Sequence, residues 1–311
     1  MGRSARGLRL VLFAAALGLG AWWLLLGGAN RSTAPEGAVR PGAGTLDAGT
    51  LDAIRATGRV RIGYANEAPY AYLDRATGEV TGEAPTLAQE VLRELGAEHV
   101  DAVLTEFGSL IPGLQAGRFD LIAAGMYVTP ERCREIQFSS PTYAIGEAFV
   151  VRAGNPLELH SYRSVAEHED ATLGVVAGTI ERRYAREESV PDDRVVVFPD
   201  APSAVAGVAA GRVDAFAGTS LTVGDLLAKS SSDRLERAEP FHDPVVDGRP
   251  VRGYGAFGFR KSDRRFAEAF DAILRQLIGT ERHLELVAPF GFGRDDLPPP
   301  EVTTESLCRD R

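Results

Sequence analysis

Cysteine is nearly absent from this chain: Cys133 and Cys308 are the only two among 311 residues. A multi-bridge framework is therefore excluded, and the count is compatible with one bridge in an oxidising compartment or with two free thiols. A basic excess is also missing, since 34 Lys and Arg face 43 Asp and Glu for a formal charge of −9. Nucleic-acid partners need a positive footprint, so they are ruled against. The five histidines, His99, His160, His168, His242 and His283, never fall at a metal-ligand spacing. They read as surface or loop residues, and no metal site is indicated. The sequence contains no G-x-S-x-G elbow and no G-x-x-x-x-G-K-[ST] loop, which leaves hydrolase and nucleotide-binding readings without support. Repeats of fixed period are lacking too, against solenoids and propellers.

What is present describes a globular protein with an export segment. Hydrophobic residues make up 44% of the chain, while Gly 34 and Pro 18 stay below low-complexity levels. The length corresponds to about two domains at roughly 150 residues each. Arg3, Arg6 and Arg9 precede an uncharged run from Leu10 to Ala29 rich in Leu, Ala and Trp. That is the layout of an export signal, and the run is long enough to stay as a membrane anchor instead. Either outcome places the remainder outside the cytoplasm. Asn30 to Thr50 is rich in Gly, Ala, Pro and Thr, which reads as a flexible tether. Neither cysteine follows the apolar run, so a lipid-modified cysteine is missing.

Beyond the tether, strand-like and helix-like runs alternate. Val60 to Ala65 is β-rich, and Leu87, Val91, Leu92 and Leu95 mark one helix face that Gly96 ends. Leu110 to Ala116 and Asp120 to Gly125 repeat the pattern, as do Leu173 to Ala177 and Ile180 to Arg186. Arg194 to Phe198, the helical Ala204 to Ala210 and the strand Asp214 to Ala217 follow. The last third reads as a strand, Tyr254 to Arg260, and helices over Ser262 to Ile278 and Glu281 to Val287. Such alternation predicts α/β architecture with largely parallel sheets, whose ligands bind beyond the carboxyl ends of strands. Gly253, Gly255 and Gly258 match G-x-G-x-x-G, but they run into a strand, whereas a dinucleotide fingerprint opens a helix.

Short polar-aromatic clusters stand at the predicted strand ends. Gly63 to Tyr70 reads GYANEAPY, Thr105 to Leu114 reads TEFGSLIPGL, and Gly117 to Arg132 contains GRFD and TPER. With Phe138 to Tyr143 (FSSPTY) and Val287 to Phe292 (VAPFGF), these runs resemble the family 3 extracytoplasmic solute-binding proteins of ABC importers, over roughly residues 50 to 308. The resemblance implies a two-lobed periplasmic-binding-protein fold of type II, with the ligand in a cleft between lobes joined by two crossing segments. It divides the chain into residues 1–29 as signal peptide or anchor, 30–50 as linker, 51–144 with 256–311 as a discontinuous first lobe, and 145–255 as the second lobe. The crossings fall near Tyr143 to Glu147 and Arg252 to Ala256, where Gly146, Gly253 and Gly255 offer permissive backbone for a hinge.

In the amino-acid binders of this family the position of Arg132 clamps the ligand carboxylate, a task suited to a forked guanidinium. Two departures bear on the ligand. Tyr127 replaces the Thr or Ser that meets an α-ammonium, and Thr219 stands near the usual acidic partner after the Asp214–Ala217 strand. Tyr127 joins Tyr70 and Phe107 as three rings able to face a poorly hydrated cation. These features resemble the ectoine and hydroxyectoine branch, with Glu67, Phe107, Tyr127, Arg132 and the Ala177-Gly178-Thr179 strand end at its site positions and the match reaching Cys133 and Cys308. A small zwitterion then presents its carboxylate to Arg132 and its amidinium to Glu67 and the rings. Gly178 and Thr179 add backbone donors from the second lobe. The partners so implied are that solute and an ABC permease, with no cofactor. A polar amino-acid binder is the alternative reading. A periplasmic dehydratase, for which Glu67 or Glu106 would be the acid or base, is another, and a ligand-sensing ectodomain is a third.

Overall fold

The computed structural model describes residues 49–309, apart from 231–232 and 247–248. The apolar run Leu10 to Ala29 and the tether up to residue 48 lie outside the described residues. Thr50 already begins a helix, Thr50–Thr57, which packs Leu51 and Ile54 into the core and stops at left-handed Gly58.

Two sheets organise the described chain. In the first, Arg59–Tyr64 runs parallel to both His99–Leu104 and Leu121–Tyr127. Gly253–Phe259 then joins antiparallel to Leu121–Tyr127 and carries the short strands Gln137–Phe138 and Tyr143–Ile145 on its far side. The second sheet repeats the design: Val195–Phe198, Leu173–Val176 and Ala215–Thr219 are parallel, and Glu147–Arg152 and Leu235–Arg237 close it antiparallel. Strands such as Leu173–Val176 and Ala215–Thr219 are buried along their whole length, as expected where helices cover both faces. The helix Arg264–Leu277 shows why the cover holds: Phe266, Phe270 and Leu274 recur at fourfold spacing on one stripe and are all buried. The Phe266 and Phe270 rings meet Phe257 and Phe259 of the first sheet at centroid distances of 4.9 to 5.3 Å.

The chain passes from the first sheet to the second within one residue, because Ile145 pairs with Gly253 while Glu147 already pairs with Thr219. Gly146 is the whole first crossing. The return enters the first sheet at Gly253, so Ile145 and residues 253–255, expected in the second lobe, are strand residues of the first sheet. Gly253 and Gly255 also serve a different purpose from hinge freedom. A β carbon on Gly253 would lie 1.7 Å from the Tyr127 ring, and one on Gly255 would lie 2.0 Å from that of Tyr143. Both glycines make room for rings, so the strand can lie flat against two aromatic side chains.

His283 departs from its expected surface position. It is only 2% exposed on the helix Glu281–Val287, where Nδ1 accepts the Gly279 N–H at 3.2 Å and burial lowers its pKa. Cys133 and Cys308 are bonded, with Cα atoms 5.6 Å apart. The bond ties the C-terminal helix Thr304–Leu307 to the helix Pro130–Glu135, beside Thr304 Oγ1 donating to Ser139 O at 2.6 Å.

Candidate ligand-binding cleft

Five segments that follow parallel strands converge between the sheets, three from the first and two from the second. After Arg59–Tyr64, the Glu67 and Ala71 backbones exchange two hydrogen bonds of 2.7 and 2.9 Å. This tight loop sends Glu67 and Tyr70 the same way. After His99–Leu104, a single turn at Phe107–Ser109 opens the helix Leu110–Gln115 and sets Phe107 at the cleft. The strand Leu121–Tyr127 delivers Tyr127 at its end, and Thr129 then caps the next helix by accepting the Arg132 N–H at 3.3 Å. From the second lobe come Thr179, Ile180 and Glu181 after Leu173–Val176, and Thr219 at the end of Ala215–Thr219. Together with Ala124 and Gly125 they line one narrow cleft. Strand carboxyl ends are where open α/β sheets place ligands.

Of the residues singled out in the sequence, Glu67, Tyr70, Phe107, Tyr127, Arg132 and Thr179 line this one cleft. Arg132 is held from both sides: Nη1 donates to Tyr127 O at 2.8 Å and Nη2 to Gly178 O at 2.9 Å, while Cζ lies 5.5 Å from the centre of the Phe107 ring. Two of its five N–H donors are thereby fixed in direction. Gly178 therefore presents a carbonyl to the first lobe, where amide donors were expected. Thr179 likewise turns inward, its N–H and hydroxyl both reaching Val176 O at 3.4 and 2.9 Å. The rings also divide differently from the expected three-sided box. Tyr70 and Tyr127 are 2% and 5% exposed and both pack against Tyr143, at 5.2 and 6.3 Å, whereas Phe107 lies under the guanidinium.

A chain of hydroxyls crosses the cleft. Tyr70 OH donates to Thr219 Oγ1 at 2.8 Å, Thr219 to Thr222 Oγ1 at 3.1 Å, and Thr222 to Glu67 Oε1 at 3.0 Å. Every hydroxyl gives its one proton in the same sense, and the chain ends on a carboxylate that only accepts. Burial pushes the Glu67 carboxyl up to about 7, the negative charge of Glu181 adds to this, and the Thr222 bond opposes it. Glu181 is raised by burial as well, with Thr179 and Arg132 pulling it back. Arg132 is lowered by burial, and Glu181 counters that.

Two buried polar atoms of the cleft have no hydrogen-bond partner: the Tyr127 hydroxyl oxygen and Glu181 Oε2. A buried polar atom left without a partner costs about 1 to 3 kcal/mol. Glu181 and Ile180 were missed in the sequence because they sit in an ordinary first turn, where an acid merely suits the helix dipole. Thr219 was noticed only as a missing acid. Among the described residues no group of three or more His, Cys, Asp or Glu is placed to hold a metal ion.

Two α/β lobes, with polar and aromatic side chains gathered at strand ends on both walls of one cleft, define a solute-binding protein. The chain belongs to the bacterial extracellular solute-binding proteins, family 3, whose family model matches residues 60–293. It is 39% identical over 262 residues to a probable amino-acid ABC transporter periplasmic-binding protein of Sinorhizobium fredii, covering 83% of this chain and 86% of that one. The L-arginine-binding protein of Pseudomonas aeruginosa is 26% identical over 247 residues, 79% of this chain and 92% of that one. Among solved structures, EhuB in complex with hydroxyectoine superposes with a TM-score of 0.76 at 36% identity, covering 84% of this chain and 98% of that one. The protein is thus a solute-binding component of an ABC importer and not an enzyme. Among the described residues no helix is long and apolar enough to cross a membrane.

Proposed function

We propose that this protein captures ectoine or hydroxyectoine outside the cytoplasm and delivers it to an ABC permease. The observation that carries the reading is the convergence of Glu67, Tyr70, Phe107, Tyr127 and Arg132 on a single cleft. Arg132 meets the solute's carboxylate, and Glu67 with the ring faces meets its delocalised cation. The likeness to a structure that holds hydroxyectoine supports the choice. The segment 1–29 exports the chain as a signal or stays as its anchor. Calorimetry with ectoine, hydroxyectoine, glycine betaine, proline and glutamine side by side tests the assignment. Tight binding of the first two and weak binding of glutamine is the expected result; an equal or stronger signal for glutamine removes it.

A second reading, a polar amino-acid binder, is favoured by one observation. Glu181 places a carboxylate within electrostatic reach of Arg132, where an α-ammonium would need one. The amino-acid relatives point the same way. Arginine belongs in the same titration series for that reason.

A further inference from the structure

The chain of hydroxyls across the cleft leaves the first lobe and returns to it. Tyr70 and Glu67 stand on the first lobe, and Thr219 and Thr222 stand at the start of the second-lobe helix Ser220–Lys229. The chain therefore exists only while the lobes are together. Thr222 sits behind the cleft wall, 1% exposed. A helix cap explains half of its surroundings, since Thr219 Oγ1 accepts the Thr222 N–H at 3.1 Å as an N-cap does. The Thr222 side chain is not explained that way. A threonine inside a helix ordinarily returns its hydroxyl to a carbonyl three or four residues back. Thr222 instead sends its hydroxyl across the lobe boundary to Glu67 Oε1 at 3.0 Å. The donors fall in order: Thr219 Oγ1 accepts from Tyr70 OH and from the Thr222 N–H, which leaves its own proton for Thr222 Oγ1. Thr222 passes its proton to Glu67, and an acceptor at that end is strongest when it carries charge.

We propose that Thr222 is a positioning residue for ligand capture: closure of the lobes delivers its hydroxyl to Glu67, which fixes one oxygen of a carboxylate and turns the other to the ligand's cation. The assignment rests on the cleft reading above and adds to it a residue that touches no ligand. Open lobes leave Glu67 without this donor and Tyr70 without its acceptor, and closed lobes supply both at once. A cationic ligand thus favours the closed state twice, by its own contacts and through the partner that closure prepares for it. The groups around Glu67 do not do this work. Glu181 and Glu147 face it from the second lobe and Tyr70 and Tyr143 from the first, and none of these is a cation. Burial and Glu181 push the Glu67 carboxyl up to about 7, and the Thr222 bond opposes them.

The test is calorimetry with ectoine and with arginine as a function of pH, on wild type, Thr222→Val, Thr222→Ser and Glu67→Gln, with ligand-free thermal midpoints as a check of folding. Valine keeps the shape of threonine and the backbone bond to Thr219, and lacks the hydroxyl. Thr222→Val should bind about 10- to 100-fold more weakly near neutral pH, the loss expected for one hydrogen bond to a charged group. The pH at which affinity is half lost should also move upward, because the carboxyl no longer has the bond that favours its ionised form. Thr222→Ser should restore both, and Glu67→Gln should abolish the pH step. A merely structural Thr222 would lower affinity by one factor at every pH and leave the midpoint in place. If wild type binds ectoine and Thr222→Val leaves that midpoint unmoved, or the step survives in Glu67→Gln, the role of Thr222 falls and the ectoine reading stands. If wild type binds arginine but not ectoine, and Thr222→Val moves the midpoint for arginine, the ectoine reading falls and the role of Thr222 stands. No binding of either ligand by wild type overturns both.

Discussion

Gly108 and Gly178 meet back to back across the cleft: a β carbon built on Gly178 would come within 2.5 Å of Gly108 Cα. The relationship is one-sided. A β carbon on Gly108 finds its nearest atom, Ala177 O, at 3.4 Å, an ordinary contact, whereas Gly178 has φ +81° and so also holds a left-handed backbone. Gly178→Ala should therefore cost about 1 to 3 kcal/mol in backbone strain and wedge the lobes apart, while Gly108→Ala should be nearly neutral. Small-angle scattering at saturating ectoine checks this, with a larger radius of gyration expected for Gly178→Ala than for wild type. Equal radii and affinities in the two variants would show that the lobes tolerate the added methyl.

Arg132 is the proposed carboxylate clamp, and its surroundings set what its removal costs. In a cleft closed to water, Arg132→Ala strands the ligand's anion and should lower affinity by about 2 to 5 kcal/mol. The same change removes the guanidinium from Phe107 and the bond to Gly178 O. Arg132→Lys should recover only part of the affinity, since a point-charge ammonium cannot bridge two acceptors in one plane. Binding isotherms for the pair decide it; an Ala variant with wild-type affinity would put the anion site elsewhere.

Glu67 and Glu83 are both pushed up to about 7 from an ordinary 4.5. Between these values the folded protein holds protons that the unfolded chain has lost, so ligand-free stability falls as pH rises from about 4.5 through 7. Ligand affinity runs the other way, because a cation binds the ionised Glu67 and loses it as pH drops below about 7. Thermal midpoints without ligand and dissociation constants with ectoine, followed over this window, should show opposite slopes. Glu67→Gln should flatten the second curve and leave the Glu83 part of the first, which Thr142 holds by donating to Oε1 at 2.7 Å.

The Cys133–Cys308 bond closes a loop of 175 residues, which contains the entire second sheet. Replacing both cysteines with serine should cost about 2 to 4 kcal/mol of stability. Both partners lie on the first-lobe side, so affinity should change much less than stability. Denaturant titration with and without ectoine separates the two; a loss of affinity larger than the loss of stability would mean that the bond also positions neighbouring Arg132.

Much of the fold was legible because its periods were clean. The buried stripe of Arg264–Leu277 and the β-rich runs at Leu173 and Ala215 read directly, as did the first-lobe cleft residues, each at or beyond a strand end. Glu181 did not read, since an acid in a first helical turn has an ordinary explanation and only tertiary burial reveals its orphaned oxygen. His283 was hidden for a related reason: its burial depends on how the helix Glu281–Val287 sits on the helix Glu83–Glu94, which no local pattern records. The helix Thr50–Thr57 was masked by the Gly, Ala and Thr composition leading into it. Gly253 and Gly255 looked like a hinge because glycine permits bending, but the space they leave for Tyr127 and Tyr143 depends on residues over a hundred positions away.

The second sheet is built from one uninterrupted stretch, Glu147 to Arg237, and the chain leaves and re-enters the first sheet at adjacent rungs, Ile145 beside Gly253. A segment whose two ends lie side by side behaves as a cassette. The first lobe can keep Arg132 and Glu67 while the inserted stretch is exchanged whole, carrying its own Glu181 and Thr219 with it. New ligand preference would then arise by recombination of half-sites rather than by stepwise substitution inside one of them. A chimera that splices the inserted stretch of a relative between Gly146 and Gly253 should fold, and it should take its carboxylate grip from one parent and its selectivity from the other.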